Sequence, residues 1–372
     1  MDGRDRADYS DMTARARRWT ATMDGHPARV ADITLAHADS HAGPGRVNPL
    51  RRQEREALEE TRLAPGATRA RGAGRRAKSE APDPVRTCFE RDRDRILHCA
   101  AFRRLAGKTQ VFIFPRDHQR TRLTHALEVT QVAVGVAQAV RLNVPLVEAI
   151  ALGHDCGHGP GGHASEDALS PYLKGGFDHA VWGADVVLCD LNLCEETLDG
   201  IRNHSWSRPA PSTPEGEVTS WADRIAYVCH DFEDAVRAGI VTPAMLPPLV
   251  RERCGETRRE QLRAFIGGMV EATARTGRIG MVTDLAECLG AFRAFNYERI
   301  YCRPASNRQA GAVVRLLRAL VDHFAAQGQD VREAVTYVGG MTDRFACETA
   351  LDQLGWSPTD LPTGVWRPGA QA

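Results

Sequence analysis

The run HDCGHGPGGH, residues 154–163, contains three of the chain's 13 histidines. A histidine followed directly by an aspartate at a helix end offers one imidazole nitrogen and one carboxylate oxygen to a divalent ion, and Mn, Fe, Mg or Zn accept such donors. The glycines and proline that follow end a helix and let the chain fold back. His158 and His163 can then return toward the same point. An HD dipeptide is common by chance, so its meaning depends on partners elsewhere in the chain.

The first partner lies upstream, where Arg122-Leu-Thr-His125 falls within an apolar stretch. At about 100° per residue, His125 shares one helical face with a row of valines that starts at Val129, while Leu123 and Leu127 lie on the other face. A helix that is apolar on both faces is expected to be buried, so we expect His125 inside the protein. A single buried histidine is, by itself, typical of a hydrogen-bonded core residue.

The second partner lies downstream, in the segment from Ser220 to Asp234. Helical spacing places Asp223, Tyr227, Asp231 and Asp234 on one stripe, opposite an apolar stripe that begins at Trp221. An ordinary amphipathic helix with its acids in water explains this segment without any function. It does not explain the order of the four features, which is a buried histidine, an HD pair, two more histidines and a helical aspartate.

The composition is that of a globular protein, with 42% apolar and 26% charged residues. The 48 basic and 48 acidic residues balance, so no global charge favours nucleic acid or a membrane. No apolar run reaches the roughly 20 residues that span a bilayer, and no signal-peptide core is evident. The ten cysteines form no CxxC pair, which favours reduced thiols and a cytoplasmic location.

Helical spacing dominates from Phe89 onward, and runs with the alternation of strands are nearly absent, so the predicted fold is all-α. We expect a poorly ordered extension at 1–48, a basic arm at 49–84, one main domain at 85–350 and a tail at 351–372. The arm is predicted to be solvated and partly helical, with phosphate binding as the alternative. Longer helices are predicted over residues 123–142, 145–151, 181–188, 218–236, 261–276 and 309–326.

The order H…HD…D resembles the metal-binding signature of the HD phosphohydrolase superfamily, and further motifs narrow the resemblance to deoxyguanosine triphosphate triphosphohydrolase and its bacterial relatives. The match runs from about Arg51 to about Gln309. It implies an HD-domain helical bundle with additional C-terminal helices. The motifs that carry it are Leu63-Ala-Pro65, Arg91-Asp-Arg-Asp-Arg-Ile-Leu-His98, Ala101-Phe-Arg-Arg-Leu105, Lys108-Thr-Gln-Val-Phe112, Thr121-Arg-Leu-Thr-His125, His154-Asp-Cys-Gly-His158, Gly162-His-Ala-Ser-Glu166 and Phe177-Asp-His179.

The resemblance implies one divalent cation, Mn²⁺ or Mg²⁺, with Fe²⁺, Zn²⁺ and Co²⁺ as alternatives. Its ligands would be His125, His154, Asp155 and Asp223. It also implies a catalytic pair, His163 and Glu166, in which the acid fixes the tautomer and raises the basicity of the imidazole. This pair would deprotonate the water that attacks the α-phosphorus or protonate the leaving oxygen, with His158 in support.

The resemblance assigns substrate contacts as well. Arg122, Arg224 and His179 would meet the phosphates, whose negative charge calls for several cations. Gln110, Tyr227 and Asp231 would surround the deoxyribose. Tyr227 would lie where a ribose 2′-hydroxyl would sit, which gives a steric reason to prefer deoxynucleotides.

The implied reaction is metal-dependent hydrolysis of deoxynucleoside triphosphates, dGTP or a broader set, to deoxynucleoside and inorganic triphosphate. The alternative is an HD-domain phosphatase or nucleotidase acting on another nucleotide. A third class is a regulatory nucleotide sensor or single-stranded DNA binder that does not turn its ligand over. The resemblance further implies a homo-oligomer, a hexamer being one possible size, an allosteric nucleotide or single-stranded DNA as a further ligand, and no membrane association.

Three residues depart from the family's pattern. Gly161 stands where many relatives have an aromatic residue, Ala180 where many have asparagine, and Cys156 where an aliphatic residue is usual. We expect Cys156 to pack rather than react. The missing ring at Gly161 would widen the pocket and so affect the base preference. The run Asn203-His-Ser-Trp206 also looks adjacent to the site, although a structural role for His204 is equally consistent with the sequence.

Overall fold

Helices dominate the computed structural model, which describes residues 13–21, 25–27, 32–113, 115 and 117–362. In this part of the chain, 16 α-helices accompany a single two-stranded sheet. The predicted all-α fold is therefore confirmed. The chain divides into two units, residues 1–49 and residues 50–372.

The first unit holds helix α1 (Ala14–Ala21) and two short antiparallel strands, β1 (His26–Pro27) and β2 (Thr34–Leu35). His26 pairs with Leu35 in this ladder. The poorly ordered extension predicted for residues 1–48 lies partly outside the described residues.

The second unit is helical throughout its regular elements. Its helices are α2 (Arg52–Arg62), α3 (Cys88–His98), α4 (Ala100–Arg104), α5 (Arg122–Ala139), α6 (Val144–Gly153), α7 (Ala164–Leu169), α8 (His179–Trp182), α9 (Glu195–Arg202), α10 (Pro214–Arg237), α11 (Pro248–Cys254), α12 (Arg258–Thr276), α13 (Thr283–Asn296), α14 (Pro304–Ala326), α15 (Val331–Gly340) and α16 (Asp343–Leu354). Short 3₁₀ turns occur at Leu105–Gly107, Ser170–Tyr172, Cys189–Leu191 and Pro243–Met245, and wider π turns at Gly183–Val187 and Tyr297–Tyr301.

Local signals start the three helices that build the centre of this unit. Before α5, the Thr121 backbone N–H donates to Thr124 Oγ1 at 3.0 Å. Before α6, Asn143 Oδ1 accepts from the Leu146 N–H at 3.4 Å, and before α10 Thr213 Oγ1 accepts from the Gly216 N–H at 3.1 Å. Each polar side chain satisfies a helical group that would otherwise lack a partner.

Helices α5, α6 and α10 pack against one another through buried aliphatic side chains such as Val132, Val147 and Val228. The prediction that His125 lies inside is confirmed, since its side chain is buried on this packed face. The opposite face of α5 was expected to be buried too, and this was wrong: Leu127 is 47% exposed. On that face Leu123 and Val134 are only partly buried, so most of the apolar burial that stabilises α5 comes from the packed face.

The acids of α10 are not in water. Asp234 is buried and pairs with Arg120, whose Nη1 lies 2.5 Å from Asp234 Oδ1. Asp231 is buried and accepts a hydrogen bond from Tyr301 at 2.6 Å. The interpretation of this segment as an ordinary helix with solvated acids is therefore wrong, because buried carboxylates need such partners.

One predicted helix is interrupted. The segment 181–188 contains the end of α8 and then the π turn Gly183–Val187. At the break, Gly183 packs against Gly157 so closely that a Cβ on Gly157 would lie 2.4 Å from the Gly183 nitrogen. Contact with the HD loop thus sets the local geometry here, rather than helical propensity.

The basic arm contains α2, and its arginines differ in exposure: the side chains of Arg71 and Arg75 are 79% and 73% exposed, whereas that of Arg76 is buried. Arg76 and Asp92 form a buried ion pair, with 2.6 Å between Nη1 and Oδ1. Helix α16 continues past residue 350, and residues 363–372 of the predicted tail lie outside the described part. Among the helices that are described, none combines the length and apolarity needed to cross a membrane.

Candidate active site

Four predicted metal ligands meet where α5, α6 and α10 converge. His125 lies in the first turn of α5, His154 and Asp155 follow α6 directly, and Asp223 lies in α10. His125 Nε2 is 3.0 Å from Asp223 Oδ1 and 3.8 Å from Asp155 Oδ2. His154 Nε2 is 3.7 Å from the same Asp223 oxygen. The structure therefore brings the whole set together.

His154 is oriented as a ligand. Its Nδ1 lies 2.6 Å from the carbonyl oxygen of Ala151. Because a carbonyl only accepts, Nδ1 carries the proton and Nε2 presents a lone pair. That Nε2 is buried and has no hydrogen-bond partner among the described residues. Together, the two imidazoles and two carboxylates of this set offer the donor atoms that a divalent cation binds.

Arg122 lies beside this cluster in an almost fully buried position. Its Nη1 donates to Asp155 Oδ2 at 2.7 Å, whereas Nε and Nη2 are buried without a partner in the described part of the chain. Burial alone would raise the pKa of Asp155, but Arg122, His154 and His158 lower it well below its usual value. Asp155 is therefore a carboxylate, and Arg122 keeps two donors for another anion.

Three further histidines line one side of the cluster. The rings of His158 and His179 stack, with 3.7 Å between centroids, and His163 meets His158 edge-on at 5.1 Å. His158 Nε2 is 3.3 Å from Asp155 Oδ1, and His179 Nε2 is 4.0 Å from the same oxygen. His163 is the exposed member of the three. The predicted residues thus form one continuous site.

Glu166 does not pair with His163, and the prediction of a direct hydrogen bond between them was wrong. Glu166 Oε1 instead accepts from His179, from Nδ1 at 2.5 Å and from the backbone N–H at 3.1 Å. The reason lies at the start of α8, where Asp178 accepts from the N–H groups of Ala180 and Val181 and so leaves the His179 N–H for Glu166. Burial would raise the pKa of Glu166, but His179 lowers it to about 2. In return, Glu166 raises the pKa of His179 against the effect of burial.

His204 joins the site, a role that the sequence left open. Its Nδ1 lies 2.8 Å from the Ile201 carbonyl oxygen, so its Nε2 is free to face His179 Nε2 at 3.2 Å. Ligand atoms of His204, His154 and Asp223 lie within 4.8 Å of one another. The run Asn203-His-Ser-Trp206 was the sequence signal for it.

A second cluster forms around Tyr227 and Asp231, which lie one and two helical turns after Asp223 in α10. Tyr227 Oη accepts a hydrogen bond from Arg293 Nε at 3.0 Å. Tyr301 donates to Asp231 at 2.6 Å, yet burial raises the pKa of Asp231 to about 7. Arg293 and Tyr301 were missed, because they come from α13 and the turn after it and carry no local motif.

The remaining predicted contacts lie at the edges of the site. The guanidinium of Arg224 stacks over the ring of Trp206, 3.5 Å from its centroid, and Trp206 packs edge-on against Trp221. Gln110 Oε1 and Arg224 Nε are both buried with no hydrogen-bond partner that the described residues supply. Such groups are available to a bound ligand.

Gly161 does not open the pocket as expected. It has a φ of +72°, a conformation that favours glycine, and a Cβ there would lie 2.5 Å from Val313 Cγ1. Val313 of α14 therefore occupies the space beside it, and the expected widening is wrong. Gly162 also has a positive φ, so the two glycines produce the fold-back that returns His163 to the cluster.

Comparison with known proteins identifies the family. The family model of the HD domain matches residues 122–228. A deoxyguanosinetriphosphate triphosphohydrolase-like protein of Caldanaerobacter subterraneus subsp. tengcongensis is 39% identical over 317 residues, covering 79% of this chain and 93% of its own. Proteins of the same description from Desulfatibacillum aliphaticivorans and Caulobacter sp. (strain K31) are each 36% identical, covering 76% and 75% of this chain and 92% and 93% of theirs. The chain belongs to the deoxyguanosinetriphosphate triphosphohydrolase-like family of HD-domain proteins.

Proposed function

We propose that this protein hydrolyses deoxynucleoside triphosphates, dGTP among them, to deoxynucleoside and inorganic triphosphate with a divalent cation. One observation carries the proposal: Arg122 extends two buried, unpartnered donors beside the His125–Asp223 cluster and the stacked histidines. A buried cation with unused donors needs an anion, and a polyphosphate supplies several. The family relationship supports the same substrate class.

His125, His154, Asp155 and Asp223 would hold the cation, with Mn²⁺ or Mg²⁺ preferred and Fe²⁺, Zn²⁺ or Co²⁺ as alternatives. Oxygen and imidazole donors suit all of these ions. When bound, the cation would polarise a phosphoryl oxygen and offset phosphate charge.

The three histidines would divide the proton chemistry. His163 lies at the open side of the cluster, and its partial enclosure together with Arg122 and His179 lowers its pKa, so it is neutral and can take a proton from water. His179, held by Glu166, keeps its positive charge to higher pH and suits a phosphate contact. Glu166 would thus act through His179, and the buried His158 lies between them and His163, stacked on His179 and edge-on to His163.

The sugar would lie along α10. Tyr227 would pack against the deoxyribose, fixed by the hydrogen bond from Arg293, and Asp231 with Gln110 would meet its 3′-hydroxyl. Tyr301 orients Asp231 by donating to one of its oxygens. Arg224 would contribute a second cation for the phosphates.

The test is turnover of each of the four deoxynucleoside triphosphates, singly and mixed, with Mg²⁺ and with Mn²⁺, with intact triphosphate as the measured product. Triphosphate in stoichiometric amount with deoxynucleoside supports the proposal. Release of orthophosphate or pyrophosphate would point instead to an HD-domain phosphatase or nucleotidase. Binding without turnover that survives His163→Ala would point to a nucleotide sensor or single-stranded DNA binder.

The proposal also covers the location, the oligomeric state, the further ligands and the domain bounds of the protein. The protein would act in the cytoplasm as a homo-oligomer, with a hexamer as one candidate size, and an allosteric nucleotide or single-stranded DNA as a further ligand. Residues 85–350 would form the catalytic domain, preceded by the basic arm at 49–84.

A further inference from the structure

The C-terminal helices contact the catalytic loop through a buried lysine. Lys108 Nζ donates to the backbone oxygen of His158 and, at 3.0 Å, to that of Gly339 at the end of α15. Both acceptors are carbonyl groups that the surrounding protein hides from water. One side chain therefore joins the HD loop to a helix that is remote in sequence.

Asp343, the first residue of α16, makes a second connection at the same place. Its Oδ1 accepts from the Gly161 N–H at 2.8 Å. Its Oδ2 accepts from the Thr109 N–H at 3.0 Å and from Thr109 Oγ1 at 2.5 Å. The carboxylate is buried and receives three hydrogen bonds, two of them from the backbone of two different segments.

The two segments that Asp343 joins both lead directly into the site. Gly161 precedes His163 by two residues, and Thr109 precedes Gln110. The Lys108 carbonyl accepts from the Arg122 N–H at 3.2 Å, which fixes the same segment to the start of α5. A Cβ on Gly162 would lie 3.1 Å from the Thr109 oxygen, so the two segments are in close contact.

We propose that Asp343 is a positioning residue, which sets the placement of His163 and Gln110 from outside the HD-matched segment. The inference rests on the proposed function for the roles of those two side chains. Asp343 touches no predicted metal ligand in its hydrogen bonds, so its contribution is to the geometry of the loop. Displacement of a reacting group by about 1 Å can cost roughly 10²-fold in rate.

Asparagine is the informative replacement because it keeps the size of the side chain. An amide has a single acceptor oxygen, so its nitrogen would face an N–H or O–H donor of Gly161 or Thr109. At least one of the three hydrogen bonds is then lost, because the asparagine NH₂ group faces a backbone N–H and both groups are donors. Asp352, an exposed residue of the same helix, gives the matched control.

The experiment compares Asp343→Asn and Asp352→Asn with the wild type in three measurements: kcat and KM for dGTP, bound Mn²⁺, and hydrogen exchange of amides 157–163. We expect Asp343→Asn to lower kcat about 10- to 100-fold, to speed exchange in the loop and to leave Mn²⁺ content unchanged. Asp352→Asn should match the wild type. Normal kcat in Asp343→Asn, or loop exchange at the wild-type rate, would overturn the proposal.

A second pair of variants decides the matter if Asp343→Asn does not fold. Thr109→Val removes only the hydroxyl that Asp343 accepts from, and Thr109→Ser restores it. A loss of kcat in the valine variant that serine rescues supports the positioning role, and equal activity of both overturns it. If the wild type turns over no deoxynucleotide, the proposed function fails, while loop exchange still decides whether Asp343 holds the loop.

Discussion

Replacing Glu166 with glutamine tests the part of the site that the structure revised. The two side chains have the same shape, so the substitution removes charge while leaving an oxygen able to accept from His179. A hydrogen bond to a charged group contributes about 1.5–3 kcal/mol, against about 0.5–1.5 for a neutral one. The direct loss of stability should therefore be about 1–2 kcal/mol, or a few degrees in Tm.

The effect on rate should exceed the effect on stability. Without the carboxylate, His179 loses the main partner that raises its pKa, so it loses its positive charge beside Asp155 at a lower pH than in the wild type. Removing one preorganised donor from a site of developing charge typically lowers kcat about 10²- to 10³-fold. We expect a loss of that size in Glu166→Gln, with Mn²⁺ content unchanged because the carboxylate contacts none of the four predicted ligands.

The same variant should change how stability depends on pH in the metal-free protein. His179 has a pKa raised above its ordinary 6.5, so its contribution is complete below pH 6.5 and is lost as the pH rises through the folded value. Glu166 has a pKa lowered from 4.5 to about 2, so its contribution is complete above pH 4.5 and is lost as the pH falls toward 2. The Tm difference between wild type and Glu166→Gln should be largest between pH 4.5 and 6.5 and shrink on either side.

The assay uses steady-state triphosphate release, metal analysis and thermal unfolding across pH. Asp167→Asn is the control, since it removes an exposed carboxylate from the neighbouring position of α7. Wild-type kcat in Glu166→Gln would refute the view that Glu166 acts through His179. A Tm difference that stays constant from pH 4 to pH 9 would refute the ion pair itself.

Three other substitutions test the remaining roles. Asp155→Ala should retain no Mn²⁺ and lose activity. At a Mn²⁺ concentration of about 100 times its Kd, the free energy of unfolding of the wild type should rise by about 2.7 kcal/mol. An equal rise in the variant would show that Asp155 is not a ligand of the cation. Tyr227→Ala should raise kcat/KM for GTP relative to dGTP about 10-fold or more, and an unchanged ratio in a direct competition assay would show that Tyr227 does not exclude the 2′-hydroxyl. Arg122→Lys keeps the charge but not the planar fork, so kcat/KM for dGTP should fall roughly 10- to 100-fold; wild-type kcat/KM would separate Arg122 from the phosphates.

The sequence predicted the helices whose buried face is long and aliphatic. The helices α5, α6 and α10 pack a regular aliphatic face into one core, and that regularity is visible along the chain. The predicted ligand set came instead from the resemblance to the HD superfamily, whereas helical spacing only placed His125 inside the protein and Asp223 on the polar stripe of α10. Helix α13 and the short α15 and α16 were not predicted, although their buried residues also recur at helical spacing. Many of these buried residues are small or polar, such as Ala346, Cys347 and Thr349, so they give a weaker apolar pattern along the chain.

Pairings across loops could not be predicted in this way. Glu166 and His163 have a spacing that allows a hydrogen bond on α7, but His179 at the start of α8 offers Glu166 both its backbone N–H and its imidazole Nδ1. The close packing of Gly157 against His179 and Gly183, which leaves no room for a Cβ, holds α8 next to the HD loop. A spacing rule describes neighbours on one helix, and here the competing donor came from another.

The location of the unpredicted residues bears on substrate choice. The segment that matches the HD domain, residues 122–228, contains all four predicted cation ligands and the stacked histidines. Arg293, Tyr301 and Asp343 all follow it, yet they hold Tyr227, Asp231 and the Gly161 loop respectively. Under the proposed function, the HD segment would therefore supply the reacting groups, whereas residues from 293 onward fix side chains that would face the sugar. Differences in nucleotide preference between relatives should then follow substitutions in α13 to α16 more closely than substitutions among the ligands.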